Sequence, residues 1–129
     1  MQWIADNIGD AMIYQIRASV DGKRKFTYIS NRCKDFHGIT TEQAMKNASL
    51  LYKTFHPQDQ EKVAEAEKIA LTYIKPFKME FRIKLPGNIV KWVYVVSVPQ
   101  KQANGEYIWN GIEFDITERK KNNKQLKTI

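Results

Sequence analysis

Residues 77–117 read FKMEFRIKLPGNIVKWVYVVSVPQKQANGEYIWNGIEFDIT, and this stretch decides the fold. Phe77, Met79, Phe81 and Ile83 alternate with Lys78, Glu80, Arg82 and Lys84, the two-residue period of a strand with one buried face. Leu85-Pro86-Gly87-Asn88 turns the chain. Ile89 to Val98 is almost continuously apolar, which predicts a strand covered on both faces. Asn104-Gly105 is a tight hairpin signal, and Tyr107 to Ile116 forms the next strand. Consecutive strands joined by short turns favour an antiparallel sheet.

Working back from there, residues 57 to 73 carry Val63, Ala66, Ile69, Ala70 and Tyr73 at helical spacing, which predicts one apolar face on a long helix. Pro57 suits its first turn, and Pro76 bars its continuation. Thr40 with Gln43 matches a capping box, Thr41 being the alternative cap. Asn31 to His37 ends at Gly38 as a short glycine-capped helix would. Ala11 to Ile16 and Phe26 to Ser30 read as two further strands around an Asp21-Gly22 turn. The order is two strands, a helical middle, three strands and a terminal helix, an α+β arrangement with helices on one face of the sheet.

Composition bounds the rest. A chain of 129 residues with 43% apolar content suits one ordinary domain. It has no apolar run long enough for a membrane span, and Met1 to Asp6 lacks the basic and apolar regions of a signal peptide. The single cysteine, Cys33, can build neither an internal disulfide nor a four-ligand zinc site; it reads as a small buried side chain, and a cytoplasmic address fits. The formal charge of +7 gathers in Arg119, Lys120, Lys121, Lys124 and Lys127 and in Lys23-Arg24-Lys25. The first group reads as a solvated helix face and the second as a loop. Neither is interleaved with aromatic residues as a nucleic-acid surface would be. No nucleophile elbow, phosphate loop or metal-binding helix motif is present, so the chain itself reads as non-enzymatic.

Several segments, in order, resemble the PAS family across about residues 4 to 120. Ile29-Ser30-Asn31 leading to Phe36-His37-Gly38-Ile39-Thr40 looks like the end of the second PAS strand with its short helix and glycine turn. His56-Pro57-Gln58-Asp59 is similar to the step before the long PAS helix. Pro86 to Trp92 looks like the third-to-fourth strand turn. Gly111 to Lys120 carries an Asp-Ile-Thr signature, Asp115-Ile116-Thr117, with Arg119 following. The resemblance implies a five-stranded antiparallel sheet in spatial order 2-1-5-4-3, with helices over a small pocket. It divides the chain into a sensor domain, residues 1–117, and the truncated start of a signalling helix, residues 118–129. It also implies sensing and homodimerisation for a covalently linked C-terminal effector, a histidine kinase first and a diguanylate cyclase second. A free-standing ligand-binding or enzymatic α+β domain is the competing expectation.

In that frame Asp115, Ile116, Thr117 and Arg119 form the joint that transfers signal. Thr117 can cap the outgoing helix through its hydroxyl, and Asp115 stands where a helix dipole favours negative charge. Candidate pocket residues are Tyr14, Tyr28, Phe36, Leu51, Tyr52, Phe55, Ile69, Phe81, Val93 and Val95, although close packing alone explains an apolar interior. Glu113 joins them because related flavin-binding members place a ligand-facing glutamine there. An inward Glu113 turns Ile112 and Phe114 outward, and with Trp92, Tyr94 and Val96 they would make a face for dimerisation or helix docking. No cofactor is expected, and an unidentified small ligand remains open. Ser49 occupies the position of the flavin-reactive cysteine, which disfavours a cysteinyl adduct. Residues 57 to 73 lack a haem-ligating histidine, while His56 reads as a helix-end residue and His37 as surface or turn.

Overall fold

The computed structural model describes residues 11–128, with side chains as far as Asn123. The opening segment Met1 to Asp6 and Ile129 lie outside the described residues, as do the side chains of Lys124, Leu126 and Lys127. Strands β1 (Ala11–Ala18) and β2 (Arg24–Ile29) lead into α1 (Cys33–His37), α2 (Thr41–Lys46), α3 (Ser49–Tyr52) and α4 (Pro57–Tyr73). Then come β3 (Phe77–Leu85), β4 (Ile89–Lys101), β5 (Tyr107–Asp115) and α5 (Thr117–Thr128). The sheet is antiparallel throughout, in the order β2-β1-β5-β4-β3. The last strand therefore lies at the centre, between the first strand and the fourth. Among the described residues no helix is long and apolar enough to cross a membrane.

Local chemistry sets the helix ends. Thr40 Oγ1 accepts from the Gln43 N–H at 3.1 Å while Gln43 Oε1 accepts from the Thr40 N–H at 2.8 Å, the reciprocal capping box. His56 Nδ1 accepts from the Gln58 N–H at 3.1 Å and caps α4. One turn in, buried Asp59 accepts the Arg82 backbone N–H at 2.8 Å and the Arg82 guanidinium at 2.7 and 3.0 Å. These bonds fasten the start of α4 to β3. The Arg82 hydrogen bond, set against burial, holds the Asp59 carboxyl below the ordinary carboxylate range.

Two expectations about burial are corrected. The buried stripe of α4 runs through Asp59, Val63 and Ala70, with Ala66 half-buried. Ile69 (40% exposed) and Tyr73 (71%) stand on its outer flank. The helix is rotated because Asp59 must face Arg82, and that fixes which side meets the sheet. Strand β4 is covered on its inner face, at Val93, Val95, Ser97 and Pro99, but Trp92, Tyr94 and Val96 are half-buried and Val98 is exposed. On that outer side the start of α5 approaches Trp92, with Lys120 Nζ 4.4 Å from the centre of its ring, and the Arg82 guanidinium of β3 lies 5.6 Å from the same ring.

Candidate functional site: a cavity and its exit joint

The inner face of the sheet and helices α3 and α4 enclose a cavity of about 30 Å³, room for one or two waters. Of the residues expected to line it, Tyr14, Leu51, Tyr52, Phe55, Phe81, Val95 and Glu113 do so. Phe36 and Val93 are fully buried but stand off the cavity wall. Tyr28 faces the other side of the sheet, in a groove with Val96 and Ile112. Ile69 lies on the outer flank of α4, for the reason given above. Phe26, Phe77, Val63, Glu67 and Ser97 also line the cavity; the periodicity placed Phe77 and Val63 on inward faces without marking them as pocket residues, and nothing in the sequence singled out Glu67 or Ser97. Glu67 looked like one more solvated helix glutamate.

Glu113 points inward with 3% of its surface exposed, which a strand glutamate tolerates only with a partner. The partner is His37, itself 1% exposed and therefore not the surface or turn residue expected. His37 Nε2 lies 2.6 Å from Glu113 Oε2, and Nδ1 lies 2.8 Å from Thr54 Oγ1. The Thr54 hydroxyl donates to the Leu51 carbonyl at 2.7 Å. Its oxygen must then accept from His37, so Nδ1 carries a hydrogen. The Nε2–Oε2 contact consequently holds one shared proton, either as imidazolium and carboxylate or as imidazole and carboxylic acid.

A second pair, half-buried, closes the side between β2 and α4. Arg24, expected in a loop, opens β2 and places its guanidinium between the rings of Tyr52 and Trp109, at 5.6 and 5.7 Å. It donates to Glu67 Oε2 and, at 2.9 Å, to the Tyr52 hydroxyl. Burial opposes its charge, yet Tyr52 and Glu67 outweigh burial and raise its pKa.

Glycine at 111 makes the cavity floor possible. A Cβ there would lie 2.3 Å from Cζ of Tyr14, so the Tyr14 ring crosses β5 over Gly111 toward Ser97, the Gly111 neighbour on β4. Burial raises the Tyr14 hydroxyl pKa, and the neighbouring Ser97 offsets part of that. Ser97 Oγ nonetheless stands outside hydrogen-bonding geometry with every described group. Cys33 is fully buried and off the cavity wall, and burial, with Glu113 adding to it, pushes its thiol up to about 12. Ser49 is exposed and donates to Asn47 Oδ1 at 2.7 Å.

From Glu113 the central strand runs two residues further to the joint. Asp115 Oδ1 accepts from the Thr117 N–H at 3.0 Å and the Thr117 hydroxyl at 2.6 Å. Thr117 Oγ1 accepts from the Trp92 N–H at 3.0 Å. The threonine hydroxyl thus ties α5 to β4 instead of capping α5, and the capping oxygen belongs to Asp115. Buried Ile116 donates its N–H to the Trp92 carbonyl at 2.9 Å. Beyond it, Arg119 pairs with Glu80 Oε2 and Lys120 lies 2.7 Å from Glu80 Oε1. On the outer side of the same strands, Phe114 stacks on Tyr94 at 6.5 Å and is 36% exposed, and Ile112 is half-buried.

Comparison with known proteins fits this architecture. A family model described as PAS fold matches residues 26–127. A domain of a histidine kinase from Haloarcula marismortui, described as light and redox sensing, superposes with a TM-score of 0.74 at 20% identity, covering 86% of this chain and 93% of that one. The N-terminal domain of a diguanylate cyclase with PAS/PAC sensor from Marinobacter aquaeolei gives 0.69 at 20% identity, over 84% and 97%. A sensory box histidine kinase/response regulator from Burkholderia thailandensis gives 0.72 at 18% identity, over 98% and 92%. At such identities these structures share the fold. In sequence, uncharacterized protein y4lL of Sinorhizobium fredii is 31% identical over 99 residues, or 70% of this chain, and the chain spans 12% of that protein's length.

Proposed function

The chain belongs to the PAS-fold family, and from that premise we propose that it is the sensory and dimerisation module of a larger signalling protein. Its effector would follow α5, with a histidine kinase as the first reading and a diguanylate cyclase as the alternative. One observation carries this. The central strand β5 presents Glu113 to the cavity and, two residues later, Asp115 to the first N–H of α5. A shift of the cavity wall therefore reaches the outgoing helix without crossing a loop.

The chain itself is read as non-catalytic, because its buried charged groups are tied to one another rather than left free to act. Neither a flavin–cysteinyl adduct nor haem belongs to this reading. The Ser49 hydroxyl is turned to Asn47, the Cys33 thiol is off the cavity wall, and His56 is occupied as a helix cap. Homodimerisation would use the outer face around Trp92, Tyr94, Val96, Ile112 and Phe114.

Joining residues 1–129 to the catalytic portion of a histidine kinase through linkers lengthened one residue at a time, with and without Thr117→Val, tests the reading. Autophosphorylation should vary with linker phase and change several-fold on the substitution. Output indifferent to both would remove the proposal.

A further inference from the structure

Beyond the sensory reading, we infer that the open edge of β3 takes an extended acidic segment of a partner protein as an added strand. β3 is an outermost strand of the sheet, and the half nearer Leu85 is already covered. The Arg82 N–H donates to Asp59 Oδ2, the Arg82 carbonyl accepts from the His56 N–H at 2.9 Å, and the Lys84 N–H donates to the Thr54 carbonyl at 2.8 Å. Arg82 and Lys84 therefore turn their backbone groups away from β4. The register with β4 is unbroken from Phe77 to Leu85, so by the two-residue period Lys78 and Glu80 turn theirs the same way. Among the described residues no hydrogen bond meets the N–H or C=O of either on that edge. Such a row of backbone donors and acceptors is a template for another strand.

The surroundings of that edge fix the partner. Between α4 and the start of β3 lies an open groove of about 390 Å³, walled by Ala66, Ile69 and Ala70 and bordered by Lys75 and Lys78. An added strand would turn alternate side chains into it, which calls for apolar residues at those places. The turn that shapes the groove is held at a cost. Ile74 is left-handed at φ 49, a conformation unfavourable for a β-branched residue, and the next N–H, that of Lys75, closes on the Ala70 carbonyl at 2.9 Å. Glu80 is already matched by Arg119 and Lys120, so Lys75 and Lys78 set the charge that the partner must bring. An acid opposite Lys78 makes a favourable cross-strand pair, and a lysine there an unfavourable one. A second copy of this chain does not fit. Laid antiparallel over Lys78 and Glu80, its own Phe55 and His56, which pair along the edge at Ile83 and Arg82, would run into Pro76.

The test is a backbone-amide NMR titration of the full chain with the capped peptide acetyl-Val-Thr-Val-Glu-Val-amide and with its reversed sequence, which together allow either strand direction. One of the two should give saturable shifts at the Lys78 and Glu80 amides, slow their hydrogen exchange, and bind several-fold more tightly than the same peptide with lysine for glutamate. N-methylation of its Thr and Glu, the residues whose N–H groups would face β3, should abolish binding. Lys78→Glu lies on the exposed side of the strand, so the variant should fold, and it should reverse the preference between the glutamate and lysine peptides. Ile69→Ser, on the exposed flank of α4, should weaken binding several-fold. Equal binding of the N-methylated peptide, indifference to the exchange of glutamate for lysine, or no saturable shift with either peptide up to its solubility overturns the assignment. Protection of the Lys78 and Glu80 amides that rises with protein concentration, without peptide, gives the edge to a second copy and overturns it as well.

Discussion

Strand β5 shows two different chemistries on its two sides. Toward the helices it carries Trp109, Gly111 and Glu113, all buried; away from them it carries Ile108, Ile112 and Phe114, half-buried or exposed. The side with the carboxylate is the interior, and the greasier side is the surface. Polarity by itself would assign the faces the other way round. The interior accepts a carboxylate because α1 delivers His37 to it, and the surface carries apolar residues without unfolding because they stack on β4 neighbours such as Tyr94. A residue's face is therefore set by what the opposite layer supplies, not by its own hydropathy.

The strongest way to break this comparison is to take away the supplied partner. His37→Ala leaves the buried Glu113 alone and should cost about 3–5 kcal/mol, read by urea denaturation. Adding Glu113→Met should recover most of that loss, because no buried charge then remains. A harmless His37→Ala would mean that the pair does not hold the interior together.

Asp59→Asn probes the other buried carboxylate, at the seam of α4 and β3, and should cost about 1.5–3 kcal/mol near neutrality. Its contribution depends on pH with a definite sign. The folded pKa is depressed by Arg82, so the stabilisation is complete above the unfolded value near ~3.9 and disappears as pH falls through the lower folded value. The wild type should therefore lose stability across that acidic window more steeply than Asp59→Asn.

Gly111→Ala sharpens the comparison at a single atom, since the added methyl meets the Tyr14 ring. Overpacking of this kind costs about 1–3 kcal/mol, measurable as a lower denaturation midpoint. The smallest effect belongs to the outer side. Phe114→Ser should change the stability of the isolated chain by no more than about 0.5 kcal/mol, yet in sedimentation it should weaken self-association if that face joins two copies.

Much of the fold was legible in residues 77–117, because alternation and turn residues report strand and hairpin directly. The resemblance carried by Gly38, His56 to Asp59 and Asp115 to Thr117 then gave the strand order. The site was harder to read for one physical reason: its partners are distant in sequence. His37 and Glu113 are 76 residues apart and Arg24 and Glu67 are 43 apart, so each looks alone like a turn or a solvated charge. Ile69 misled in the opposite sense. Its spacing fits a buried stripe, but the Asp59–Arg82 contact rotates the helix away from it. Ser97 and Gly111 matter through the space that they leave, and a single sequence has no signal for that.

The central claim is that the cavity wall and the outgoing helix move as one through β5. Amide hydrogen exchange in Glu113→Gln against wild type measures this directly, at the Trp92 N–H held by Thr117 Oγ1 and at the Thr117 N–H held by Asp115. Exchange several-fold faster at both amides, with the distant α2 amides unchanged, is the expected result. Identical protection at the joint in the two proteins would contradict it.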